Sequence, residues 1–323
     1  MIDFRLETFL VLCKTGSYTR AAEQLHITQP AVTQHIQYLE KEYGGKLFCY
    51  RGRTLTLTPR GELLRQFATT VQADSIRLME MMRQKDLLAK TVTFGATQSI
   101  GEYMMPRLLE RQLEEKPDTR LSMVVDNTQE LLDKLQEGKI NFAFLEGCFD
   151  KAQYETRRFT IEPFIPVCAA DSPLARPEAK ERDMYQHRLI LREKGSGSRQ
   201  MLELLLARQN LTVHSFDSVL VVGNMNAIKY LVAKGLGITF LYRMAAQDEL
   251  RTGKLREICP RRQPFCGEIN FVCLKNSLHL REYLGWYEYF KESWHQIQHE
   301  PDAASGSEDL SSITGAGSSC AGD

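Results

Sequence analysis

Apolar positions recur at helical spacing through the first forty residues. Leu6, Phe9, Leu10 and Cys13 share one face of a helix predicted over residues 3–15. Asp3 is placed to cap it, and Gly16-Ser17 ends it. Ser17 caps a short second helix, about 18–25, with Ala21, Ala22 and Leu25 inward. After a turn at His26-Ile27, Thr28 caps a third helix that tolerates Pro30 in its first turn. It runs to about Tyr43 and stops at Gly44-Gly45. Val32, Ile36 and Leu39 give this helix a buried side, opposite Pro30, Thr33, Gln34, Gln37 and Lys41. A short helix, a tight turn and a capped helix make a helix-turn-helix. The pattern then alternates: Leu47–Tyr50 and Thr54–Leu57 read as strands joined at Arg51-Gly52-Arg53, a wing with two cations at its tip.

Thr58-Pro59 restarts a helix that can continue to about Ala89. Leu64, Phe67, Val71, Leu78 and Met82 recur along it at three- to four-residue spacing, interrupted at Asp74-Ser75. Such a stripe packs against the chain's own body or pairs with a second copy. From residue 91 strands and helices alternate. Strands are predicted at 91–96, 121–125, 142–145, 164–169, 189–192, 219–222, 238–241 and 269–274. Helices are predicted at 100–115, 130–136, 198–209, 224–234, 243–250 and 279–298. The expected class is α/β with a mostly parallel sheet. The length suits two subdomains, with crossings at Pro163/Pro166 and at residues 260–267.

The predicted organisation is therefore a winged helix-turn-helix over residues 1–58 and a linker helix over 59–89. An α/β module follows over 90–300. Its first subdomain covers about 90–162 and 267–300, and its second about 163–266. Ser, Gly and Ala fill fourteen of the twenty-three positions from 301 to 323, so that tail is expected to be disordered.

Composition refines this. Lys+Arg and Asp+Glu are both 41 in the 323 residues, which excludes a uniformly basic coat or a polyanionic chain. The balance is uneven: residues 1–60 hold eight Lys/Arg against five acids. No run approaches a membrane span, the N-terminus lacks a signal-peptide layout, and none of the eight cysteines forms a CxxC pair. A reducing cytoplasm is expected, with no membrane, metal or cofactor.

On the third helix, Gln amides can bond an adenine edge, and Thr can meet a thymine methyl. Thr28, Gln29, Pro30, Thr33, Gln34 and Gln37 are therefore the expected DNA face. Arg51 and Arg53 would reach backbone or minor groove, and Lys41 would add sequence-independent attraction. In the α/β module, Thr97-Gln98-Ser99 closes a strand and opens a helix, and Ser99–Glu102 fits a capping box. Gly195-Ser196-Gly197-Ser198-Arg199 also joins a strand to a helix. Its glycines admit close backbone approach and Arg199 pairs with oxyanions. Gln200 replaces the third glycine of a dinucleotide fingerprint. Gly223-Asn224 opens a further helix. Glu146 faces the same cleft, where it either orients Arg199 or repels an anion.

These residues resemble the LysR-type transcriptional regulators. The resemblance rests on Phe9–Cys13, Gly16–Leu25, Thr28–Ile36, Leu39-Glu40, Gly45–Phe48 and Leu57–Gly61, and the remainder up to the tail fits the family's linker and effector module. It implies an effector module of two subdomains similar to periplasmic binding proteins, a homodimer or homotetramer, a pseudo-palindromic operator and RNA polymerase as a partner. The 195–199 turn resembles the effector-contacting turn of members governing sulfur assimilation and carbon fixation, which implies a small anionic effector. The expected effector residues are Thr97, Gln98, Ser99, Glu146, Ser196, Gly197, Ser198, Arg199 and Asn224. No catalytic constellation is present: there is no GxSxG, P-loop or HExxH, and the seven histidines are dispersed. An enzyme with an appended winged helix is the weaker alternative. A thiol switch built on Cys259, Cys266 and Cys273, beside Arg261-Arg262, is another.

Overall fold

The computed structural model describes residues 3–83, 91–258 and 265–299. The first three helices are α1 (Phe4–Thr15), α2 (Tyr18–Leu25) and α3 (Gln29–Glu42). Their caps form as the sequence requires. The Asp3 carboxylate accepts from Arg5 N, Ser17 from Arg20 N and Thr28 from Ala31 N. Gly16 takes φ 61° at the end of α1, and His26 adopts φ 55° in the turn before α3. Phe9, Leu12, Ala21, Val32, Ile36 and Leu39 close a small core with Leu47, Leu64 and Ala68. Each large side chain there contributes about 1.5–3 kcal/mol by leaving water.

The wing is the hairpin β1 (Phe48–Arg51) and β2 (Thr54–Leu57). Arg51 pairs with Thr54, so Arg51 belongs to the strand and the turn is Gly52-Arg53. Gly52 takes φ 64°, which a two-residue hairpin turn with glycine first requires. Helix α4 (Pro59–Arg83) follows, capped by Thr58 Oγ1, which accepts from Gly61 N at 3.0 Å. The expected continuation of this helix to residue 89, and the tail 301–323, lie outside the described residues.

Beyond α4 come β3 (Thr91–Thr97), α5 (Gln98–Tyr103), α6 (Met105–Glu115), β4 (Arg120–Asp126), α7 (Thr128–Gln136) and β5 (Phe142–Leu145). The next are β6 (Tyr154–Ala169), β7 (Arg188–Leu191), α8 (Gly197–Ala207), β8 (Ser218–Val221) and α9 (Met225–Ala233). The chain continues through β9 (Thr239–Tyr242), α10 (Gln247–Arg251), β10 (Leu255–Glu257), β11 (Phe265–Leu274) and α11 (Leu280–His299). One seven-stranded sheet runs β10-β6-β11-β5-β3-β4, with β9 also on β6. Strands β7 and β8 pair in parallel beside it, and Leu189 bridges Ile238.

Three expectations are corrected. The sheet is mixed rather than mostly parallel: β5-β3-β4 is parallel, whereas β6 pairs β11, β9 and β10 antiparallel, and β11 pairs β5 antiparallel. The strand expected at 164–169 is the last part of a 16-residue strand, and the expected crossing at Pro163 and Pro166 falls within it. Strand β6 pairs β11 from Tyr154 to Phe164 and then takes β9 and β10 as partners, so this one antiparallel pair spans both subdomains. The helix expected at 100–115 is divided at Met104, because Pro106 opens a new first turn.

Candidate nucleic-acid interface and effector cleft

The polar side of α3 is open. Thr28, Gln29, Pro30, Gln34 and Gln37 are exposed and Thr33 is half-buried, as are Arg51 and Arg53 exposed at the wing. Gln29 Nε2 donates to Thr33 Oγ1 at 3.0 Å, so two of the expected base-reading side chains already brace one another. The inner side holds α3 in place. The Arg5 guanidinium lies 4.0 Å from the Tyr38 ring, and His35 Nδ1 is 3.0 Å from Thr8 Oγ1. Burial and the Arg5 charge hold the His35 imidazole below its ordinary pKa. Glu40 joins helix to wing: Leu47 N donates to its Oε1 at 3.0 Å and Lys46 Nζ to its Oε2 at 2.7 Å. Sequence reasoning missed this acid's positioning role, which its place just before the wing signals.

Helix α4 ties this domain to the effector module. Thr70 Oγ1 donates to Lys275 O at 2.9 Å, and Asp74 accepts from Ser277 Oγ at 2.7 Å and Leu278 N at 2.8 Å. Arg77 is buried and pairs with Glu282 at 3.0 Å. The break in the apolar stripe at Asp74 is therefore a docking point. The stripe itself divides. Leu64 and Ala68 turn into the helix-turn-helix core, while Leu63, Phe67, Leu78, Met79 and Met82 stay exposed. Beside them runs a mainly apolar groove of about 600 Å³, also lined by Val71, Leu274 and Leu278.

Most of the expected effector residues converge where β3, β5 and β9 end against the first turn of α8. Thr97, Ser99, Glu146, Ser196 and Ser198 are all buried. Ser99 Oγ donates to Glu146 Oε1 at 3.3 Å, and Ser198 N donates to the same carboxylate. Thr128 Oγ1 holds Glu146 O at 2.9 Å. Ser196 caps α8, and its hydroxyl is 3.0 Å from that of Ser198. Thr97 Oγ1, Glu146 Oε2 and Tyr242 Oη are buried with no hydrogen-bond partner. Burial pushes the Glu146 carboxyl up to about 7, although Arg192, Ser99 and the Ser198 N–H oppose it. Burial, with the Glu146 charge next, raises the Tyr242 hydroxyl well above its ordinary value.

Several expectations change. The capping box Ser99–Glu102 does not form: α5 starts at Gln98 and Ser99 turns inward to Glu146. Glu102 takes the Gln98 amide at 2.8 Å instead. Because α5 is only six residues long, little macrodipole stands behind its start. Of the two open readings for Glu146, orienting Arg199 is not what the structure places. Arg199 Nε pairs with Glu203 at 2.9 Å, and its Nη1 donates to Arg192 O at 3.2 Å. Asn224 is exposed and caps α9 through Ala227 N, outside the buried group. Its neighbour Asn226 crosses the cleft instead, accepting from Tyr103 Oη at 2.8 Å. Two residues were missed, Arg192 and Tyr242. The signal was available for Arg192, a lone cation closing an apolar strand. For Tyr242 there was none, since only the packing reveals that its hydroxyl lacks a partner.

The thiol alternative loses one of its pairings, Cys266 with Cys273. Cys259 lies outside the described residues. Cys266 is exposed and Cys273 buried on the same strand. Seven residues of strand separate them by about 23 Å, far beyond disulfide reach. Burial also pushes the Cys273 thiol up to about 12. Among the described residues no helix is long and apolar enough to cross a membrane, and no cluster of His, Cys, Asp and Glu could hold a metal ion.

Comparison with known proteins agrees with this architecture. Residues 4–62 match the family model described as "Bacterial regulatory helix-turn-helix protein, lysR family", and residues 85–294 match "LysR substrate binding domain". The uncharacterized HTH-type transcriptional regulator YeiE of Escherichia coli K12 is 28% identical over 79% of this chain and 85% of its own. The HTH-type transcriptional regulator CysL of Bacillus subtilis is 28% identical over 76% of this chain and 82% of its own. A solved structure of a Corynebacterium glutamicum OxyR mutant with bound hydrogen peroxide has the same fold. Its TM-score is 0.58 at 24% identity, covering 91% of this chain and 92% of that one.

Proposed function

The chain belongs to the LysR family of bacterial DNA-binding transcriptional regulators, and on that footing we propose how its parts divide the work. The exposed side of α3, with Thr28, Gln29, Pro30, Thr33, Gln34 and Gln37, enters a major groove. Arg51 and Arg53 hold the adjoining backbone or minor groove. One winged helix covers too short a site for useful specificity, so two copies bind a pseudo-palindromic operator. The exposed apolar stripe of α4 is the face through which they associate. Such a regulator works on the chromosome in the cytoplasm, with RNA polymerase as the machinery it governs.

The effector is a small anion bound between the subdomains at Thr97, Gln98, Ser99, Glu146, Ser196, Gly197, Ser198 and Tyr242. Arg192 and Arg199 stand behind it as neighbouring cations, each held by its own glutamate. Asn224 serves at most as an outer contact. The observation that carries this reading is the three buried side-chain oxygens without partners, Thr97 Oγ1, Glu146 Oε2 and Tyr242 Oη. Buried polar atoms left unsatisfied cost about 1–3 kcal/mol each, and a ligand that meets them recovers that cost. The ligand shifts the angle between subdomains only by binding one arrangement more tightly than the other. Calorimetry with a panel of oxyanions, carboxylates and apolar compounds tests this. Heat from oxyanions or carboxylates supports it; heat from apolar compounds alone overturns it.

A further inference from the structure

An anion site that contains a buried acid poses a question of charge. Glu146 is almost fully buried, and one of its oxygens already accepts from Ser99 Oγ while the Ser198 N–H also donates to the carboxylate. The other oxygen, Oε2, meets nothing. An ionised carboxylate can only accept, so any group that meets Oε2 must bring a hydrogen, or Glu146 must carry one itself. The Arg192 charge favours the ionised acid, but neither nearby guanidinium is turned to Oε2. Arg192 is held by Glu193 at 2.8 and 2.7 Å, and Arg199 is held by Glu203. Two further buried hydroxyls without partners, Thr97 Oγ1 and Tyr242 Oη, have hydrogens to donate to ligand oxygens.

Resting on the effector reading above, we propose that the cleft selects an oxyanion that carries or can take up a hydrogen, with one proton shared between that anion and Glu146 Oε2. Phosphate and bicarbonate meet this condition. Sulfate, of the same tetrahedral shape as phosphate but without a proton at neutral pH, does not: unless Glu146 first takes up a proton, its oxygens would face a carboxylate oxygen with nothing between them. The groups that bear on the shared proton are Ser99 on α5, Arg192 after β7, Ser198 on α8, and Tyr242 on β9 with Glu162 of β6 beyond it. Cys148, two residues on from Glu146, also faces Tyr242. The raised carboxyl of Glu146 at about 7 agrees with a group that shares a proton near neutrality.

The test is calorimetry on the full chain with phosphate, bicarbonate and sulfate, in two buffers of different ionisation heat at about pH 8. At about pH 8 the wild type should bind phosphate on the order of ten-fold more tightly than sulfate; phosphate, which brings its own hydrogen, should bind without net proton uptake, whereas sulfate should bind only with uptake of about one proton by Glu146. Glu146→Gln supplies an amide N–H in place of the acceptor and should gain sulfate binding, bringing the two anions close to parity. Tyr242→Phe, which removes only one hydroxyl, should weaken phosphate and bicarbonate together and keep sulfate excluded. Equal binding of phosphate and sulfate by the wild type, without proton uptake, overturns the proton rule and leaves the cleft an anion site. No heat from any of the three overturns the rule, and the anion reading beneath it falls as well if the carboxylates of the wider panel are equally silent.

Discussion

Gly147, after β5, and Gly197, at the start of α8, approach each other closely. A Cβ at Gly147, which sits at φ 88°, would come 2.7 Å from Gly197 Cα, and a Cβ at Gly197 would come 2.6 Å from Glu146 O. This approach lets the first turn of α8 reach the Glu146 carboxylate. Gly197→Ala should hold the subdomains apart at an overpacking cost of about 1–3 kcal/mol. Anion binding should weaken by about ten-fold or more, since sub-ångström misplacement is costly in a buried site. Thermal unfolding and calorimetry read the two effects separately, and unchanged anion affinity would show that the contact does not shape the site.

Base reading and backbone holding should separate in mobility shifts. Loss of Gln29 or Gln34 should cost about 1–3 kcal/mol and relax preference at one operator position. Arg53→Ala should weaken all sequences alike and flatten the salt dependence. A Gln29→Ala/Gln34→Ala double variant that binds its operator as the wild type does would remove α3's polar side from base readout.

The α4 stripe predicts association. Phe67 is 56% exposed and Leu78 54% exposed, so their replacement by Glu should leave the monomer's fold intact. Light scattering should show the wild type at least dimeric and the double variant monomeric, with operator binding lost. A variant that still dimerises would move the interface to the effector modules.

Glu146 should also give stability a pH signature. Its folded-state pKa is raised from 4.5 to about 7, so the native protein holds this proton more tightly than the unfolded chain does. The stabilisation is complete below 4.5 and is lost as pH climbs towards about 7, a change on the order of a few kcal/mol. Glu146→Gln lacks that loss. The gap between the variant's and the wild type's denaturation midpoints should therefore widen from about pH 5 to about pH 8. A constant gap would mean that the acid is not isolated from water.

The sequence alone determined the local chemistry. Caps, turns and periodicity depend on near neighbours in the chain, so Asp3, Ser17, Thr28 and Thr58 cap as read, and Val32, Ile36 and Leu39 bury as read. The winged helix-turn-helix was legible for that reason. Ser196 before α8 was legible as part of a strand-to-helix turn, though not as the cap it proves to be. Tertiary structure decided whatever depends on partners distant in sequence. Pairing with β11 extends β6 straight through Pro163 and Pro166, because Pro163 needs no N–H where its strand can spare one. Docking on residues 275–278 makes Asp74 an anchor rather than an interruption. The cleft was divided by the same rule. Sequence placed Thr97, Ser99, Glu146 and Ser198 near one another, but the direction of Arg199, the absence of a partner for Glu146 Oε2 and the arrival of Tyr242 follow from packing. A hydrogen bond left unmade is a property of the folded interior, where water cannot supply the missing partner.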